Sequence, residues 1–129
     1  MGQNNNTDKR PLSPHLTIYK PQITSVLSIT HRLTGLALFA GVLLLSWWVV
    51  LRVYGCNSCL SNITSHPVVN TILILFSMAF FYHLLNGVRH LCWDAGKGYD
   101  VKTAAKSGWA VLIGTVVLTV GSWFLSFYL

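Results

Sequence analysis

Residues 68–88 read VVNTILILFSMAFFYHLLNGV, 21 consecutive positions without an Asp, Glu, Lys or Arg. An α-helix crosses the ~30 Å hydrocarbon layer of a bilayer in about 20 residues. Helix is the expected form, because lipid offers backbone N–H and C=O groups no hydrogen-bond partners. Two further apolar runs also lack charge, 33–51 with 19 residues and 107–129 with 23. The three runs predict an all-α integral membrane protein with three transmembrane helices, over about 23–54, 67–93 and 105–129. Residues 1–22 are then an N-terminal segment, and 23–129 a three-helix transmembrane domain.

Composition points the same way. Of 129 residues only 9 are Lys or Arg and 3 are Asp or Glu, so 9% are charged, against about 25% in soluble domains. Hydrophobic residues make up 53% and the mean hydropathy is +0.54. Three buried core helices would need a charged outer layer that this chain lacks. The net charge of +6 suits an anionic partner. The basic residues flank apolar runs and form no cluster on a soluble face, which indicates lipid headgroups and no nucleic acid.

The flanks set the orientation. Lys9, Arg10, Lys20 and Arg32 precede or open the first span, and Arg89, Lys97, Lys102 and Lys106 lie between the second and third. Arg52 alone stands on the other side. The positive-inside rule places the N-terminus and the second connection inside and the C-terminus outside. Trp47, Trp48, Tyr54, Trp123 and Tyr128 fit an outer aromatic belt, and Trp93, Tyr99 and Trp109 an inner one. The first ~20 residues are polar and lack the apolar core of a cleavable signal. In the outer connection, Cys56 and Cys59 have Cys-x-x-Cys spacing. With only His66 nearby they fall short of the four ligands of a zinc site, and free thiols or a local disulfide are both open. Ala37/Gly41 and Ala110/Gly114 have the small-xxx-small spacing of close helix packing.

Polar residues inside apolar spans mark candidate sites. His83 lies ~12 Å from the inner end of its span at 1.5 Å per residue. Its imidazole is either a metal ligand or an interior histidine hydrogen-bonded to a neighbouring helix. His83, Gly87 and His90 share one helical stripe, bordered by Asn86. Gly87 leaves room for a flat ring beside His83, and His90 and Arg89 lie where they can meet carboxylates, a layout that suits haem b. In the first span, Ser28, His31, Arg32 and Gly35 form a similar stripe. Ser28 and Arg32 can donate to quinone oxygens, or can simply face headgroups, and Asp94 can exchange protons with the inner aqueous side. A six-coordinate haem needs two axial ligands. His83 is the only histidine well inside a span, so a second would come from another chain.

Three blocks carry a resemblance to a known family. They are Arg10-Pro-Leu-Ser-Pro-His-Leu-Thr-Ile-Tyr19, Ser28-Ile-Thr-His31-Arg32-Leu-Thr-Gly35 and His83-Leu-Leu-Asn86-Gly87-Val-Arg89-His90-Leu-Cys-Trp93-Asp94. Together they resemble the cytochrome b membrane-anchor subunits of succinate dehydrogenase (respiratory complex II), the larger of two anchor types, in its alphaproteobacterial and mitochondrial branch. The resemblance implies a complex with a flavoprotein, an iron–sulfur subunit and a second small anchor. It implies haem b held by His83 with the second axial ligand from that anchor, and ubiquinone reduced at a site lined by Ser28, Arg32 and Asp94. His31 and His90 match cofactor-binding positions near the haem propionates. Succinate is oxidised on another subunit. The implied location is a bacterial inner membrane, with the mitochondrial inner membrane as the alternative. A haem-free anchor and a small transporter subunit are the competing readings; the absence of acids within the spans disfavours the latter.

Overall fold

The computed structural model describes residues 21–55, 57–64 and 66–129, with the backbone alone at 57–60. The 10–19 motif, Cys56 and the Cys59 side chain therefore lie outside the described residues. All elements within them are helical: α1 (Ile23–Val53), α2 (Asn57–Thr64), α3 (Pro67–Asp94) and α4 (Val101–Tyr128). The 31 residues of α1 and the 28 each of α3 and α4 correspond to roughly 46 Å and 42 Å. All three are long and apolar enough to cross a membrane, and each is long enough to reach beyond the hydrocarbon at its ends. The connection between α1 and α3 holds one feature that hydropathy does not reveal, the short polar helix α2. Helix α4 starts at Val101, ahead of the charge-free run, because Lys102 and Lys106 are good helix formers and need only remain near the headgroups.

The helix ends are defined by local chemistry. Pro67 occupies the first turn of α3, where its missing N–H costs nothing, and His66 Nδ1 accepts from Val68 N at 3.3 Å. That bond makes His66 the N-cap of α3. At the other end, Lys97 N donates to Cys92 O (3.0 Å) and Gly96 N to Trp93 O (2.8 Å). This is a Schellman stop, with Gly96 at φ +75° in the left-handed region that glycine enters without strain. Asp100 then caps α4 by accepting from Thr103 N at 3.4 Å. The connection from α3 to α4 is short, which makes the two helices antiparallel neighbours.

The three long helices pack against one another. Leu27 from α1, Tyr82 from α3 and Val111 from α4 form the buried apolar cluster, flanked by Ile23, Leu85 and Leu112. Glycines permit the close approach. A Cβ on Gly108 would stand 2.7 Å from Leu27 Cδ1, and one on Gly114 would stand 2.9 Å from Leu85 Cδ1. The Phe76 ring occupies the space beside Gly41. Gly41 and Gly114 thus serve close packing, whereas Ala37 and Ala110 face outward. Elsewhere the helices present apolar side chains outward, among them Leu36, Phe39, Leu44, Val117 and Phe124.

Most of the buried polar side chains described are hydrogen-bonded within the bundle. Thr115 and Thr119 donate back to Val111 O and Thr115 O, each at 2.7 Å. The Leu27 carbonyl accepts from Tyr82 Oη at 2.8 Å and from Asn86 Nδ2 at 3.3 Å. Asn86 is fully buried and Arg89 only 5% exposed. Arg89 reaches across to α4, donating through Nε to Ser107 Oγ (2.9 Å) and through Nη2 to Ala104 O (3.0 Å), while Nη1 donates to Asn86 Oδ1 (3.3 Å). One network therefore joins α1, α3 and α4. Tyr82→Phe leaves the Leu27 carbonyl with Asn86 and should cost about 0.6 kcal/mol, the usual membrane-interior value. Asn86→Leu also strands an Arg89 N–H and should cost about 1–3 kcal/mol. Unfolding in mixed micelles followed by circular dichroism measures both, and equal costs would contradict the network.

Candidate functional site

The polar stripes of α1 and α3 meet at the end of the bundle that carries the α3–α4 turn. His83 Nδ1 lies 3.1 Å from His31 O and 3.2 Å from Thr34 Oγ1. A carbonyl can only accept, so the contact with His31 O is a hydrogen bond in the tautomer that carries its proton on Nδ1. Thr34 accommodates this, since its own hydroxyl donates to Thr30 O or His31 O, both at 2.9 Å. That tautomer keeps the lone pair on Nε2. A ring nitrogen fixed in this way by a backbone carbonyl is the usual support of a metal-ligating imidazole.

Gly35 makes this placement possible. A Cβ there would fall 2.9 Å from His83 Cε1. The glycine against His83 is therefore Gly35 of the opposite helix. Gly87, expected to leave room for a flat ring beside His83, lies next to His31, where a Cβ would be 3.8 Å from Cε1.

The three histidines come together. His31 stacks on His83 with centroids 3.9 Å apart and planes 12° apart. His90 follows at 5.1 Å from His31, and Trp93 meets His90 edge-on at 5.2 Å. Trp93 is tied to the turn by Nε1–H···O=C of Gly98 at 3.1 Å and lies under the Arg89 guanidinium, 4.0 Å from its centroid. His31 Nδ1 is buried and has no hydrogen-bond partner among the described residues. No group of three or more His, Cys, Asp or Glu among those residues could hold a bare metal ion.

Ser28 and Arg32 stand one turn apart on α1, Ser28 half-buried and Arg32 exposed. Asp94 is exposed at the last turn of α3. No hydrogen bond or ion pair among the described residues joins these three side chains. Arg89 departs from its expected place at the membrane surface. Its side chain points into the α3–α4 interface, because Asn86, Ser107 and the Ala104 carbonyl solvate it there. Thr34, Gly35 and Asn86 complete the surroundings of the histidines. Thr34 and Gly35 follow His31 by three and four residues, spacings that put all three on one side of α1.

The chain is similar in sequence to known proteins. Residues 6–121 match the family described as succinate dehydrogenase/fumarate reductase transmembrane subunit. The chain is 49% identical over 116 residues to the succinate dehydrogenase cytochrome b556 subunit of Rickettsia conorii, covering 90% of this chain and 92% of that protein. It is 42% identical over 117 residues to the Paracoccus denitrificans cytochrome b556 subunit, covering 89% and 90%. The Sus scrofa mitochondrial cytochrome b560 subunit is 42% identical over 116 residues, covering 87% of this chain and 69% of that one. With three membrane-length helices and a family match over most of its length, the chain belongs to the transmembrane subunits of succinate dehydrogenase and fumarate reductase, the membrane part of that enzyme complex.

Proposed function

We propose that this chain is the larger anchor of a succinate:ubiquinone oxidoreductase, that it ligates haem b through His83, and that it contributes Ser28, Arg32 and Asp94 to the ubiquinone site. The observation that carries the haem assignment is the approach of His83 Nδ1 to the His31 carbonyl, which in the Nδ1–H tautomer leaves the Nε2 lone pair for a metal. A single imidazole suits haem, whose macrocycle would supply all the equatorial ligands. His31 does not fit as the second axial ligand. Stacked rings present their nitrogens side by side, whereas axial ligands face each other across the iron. The second ligand then belongs to a second small anchor. The unpartnered Nδ1 of His31 fits a propionate, with His90 toward the aqueous end. When bound, haem b provides a one-electron centre whose potential depends on ligation, burial and hydrogen bonding.

Ser28 and Arg32 hold a hydroxyl and a guanidinium on adjacent turns of α1. They supply donors to a quinone carbonyl oxygen, where negative charge develops during reduction. Asp94, exposed at the end of α3, exchanges protons with the aqueous side. A flavoprotein and an iron–sulfur subunit deliver electrons at this end. The outward apolar faces of α1, α3 and α4 meet lipid and the second anchor, in a bacterial inner membrane with the α3–α4 turn inside.

Three measurements test this. Membranes carrying the assembled complex should show a b-type band in the reduced-minus-oxidised spectrum. His83→Ala should abolish it, and an unchanged band would overturn the axial role. Ser28→Ala and Arg32→Ala should lower quinone reduction by roughly ten- to a hundredfold while succinate oxidation by a soluble dye persists; equal loss of both would mean failed assembly. Alkaline phosphatase fused after Leu129 should be active on the outer side, and an inactive, well-expressed fusion would reverse the orientation.

A further inference from the structure

A groove of about 440 Å³ runs between α3 and α4 on their turn side. Leu85 and Val88 of α3 and Val111 of α4 form its apolar wall, and Arg89, Ser107 and Lys97 line its polar end. Leu85 and Lys97 bracket it, so it reaches on the order of 10 Å or more from the turn toward the middle of the bundle. Val88 is 52% exposed, so the groove opens sideways.

Its charge is one-sided. Arg89 is almost fully buried and its hydrogen-bond acceptors are all neutral: Asn86 Oδ1, Ser107 Oγ and the Ala104 carbonyl. No carboxylate pairs with it among the described residues. Asp94 and Asp100 do not line the groove, and Asp100 is engaged in capping α4. A cation out of water attracts a counter-ion over a longer distance than it would in solvent. Lys97, beside Gly96 in the turn, adds a second positive charge at the mouth.

We infer that this groove binds one anionic phospholipid of the leaflet on the turn side, its phosphate at Lys97 within the field of Arg89 and its acyl chain along Leu85, Val88 and Val111. Each alternative occupant leaves one half of the groove mismatched. Free phosphate would leave the apolar wall uncovered. A zwitterionic headgroup would bring its own cation close to Lys97. An apolar helix would leave both cations without an anion.

The test uses the assembled complex in detergent with a diazirine-bearing phosphatidylglycerol, its adducts mapped by mass spectrometry. Labelling should concentrate on residues 85–92 and 107–111 and be displaced by unlabelled phosphatidylglycerol, but not by inorganic phosphate. Lys97→Gln should reduce it roughly fivefold, the effect of one basic residue at a lipid surface. Val88→Trp, which fills the groove and leaves Lys97 in place, should nearly abolish it. Co-purification of the other subunits confirms that both variants assemble. Equal labelling by a phosphatidylcholine probe, labelling indifferent to both variants, displacement by free phosphate, or cross-linking of this face to another subunit would each overturn the assignment.

Discussion

A charge carried into the contact of three apolar helices must bring its own solvation, and the arrangement around Arg89 meets that condition. The guanidinium has no carboxylate partner among the described residues, and a hydroxyl, an amide and a carbonyl accept from it instead. These acceptors come from two helices. Asn86 accepts from Arg89 with one end and donates to the Leu27 carbonyl of α1 with the other. Removing one member leaves a polar group in a medium that cannot satisfy it, which costs more than the bond itself is worth. The network therefore selects one mutual rotation of α1, α3 and α4, where apolar packing alone would accept several.

That rotation determines where the histidines stand. Tyr82 and Asn86 face α1 at Leu27, and His83, next to Tyr82, reaches the His31 carbonyl and Thr34. Gly35 admits the ring. The half remote from the α3–α4 turn has fewer polar contacts between helices: the Phe76 ring beside Gly41, Trp123 Nε1 donating to Ser77 Oγ at 2.9 Å, and threonines bonded within α4. Stronger polar constraint thus coincides with the end that carries the three histidines.

Particular residues show how far a linear pattern reaches. The spans follow from uninterrupted apolar length, a property of the chain that needs no folded partner. His83, His31 and His90 stand out because imidazole is rare in such runs, and α1 and α3 do bring the three together. The space around His83 was less legible. Gly35 admits the His83 ring from the facing helix, and periodicity along α3 cannot reveal a residue of α1. Arg89 misleads for a related reason. An arginine at the edge of an apolar run ordinarily extends to headgroups, and only the facing Ser107 and Ala104 turn it inward.

The amino-acid sequence by itself determined the helical class, the three membrane-length segments, the asymmetry of basic charge and the candidate residues, because hydrophobic length and charge act residue by residue against the bilayer. Tertiary structure alone decided the contacts of His83 Nδ1, the placement of Gly35, the unpartnered nitrogen of His31 and the inward turn of Arg89. Each of these is a contact between helices, and its geometry is set by how two surfaces dock, which no single helix encodes.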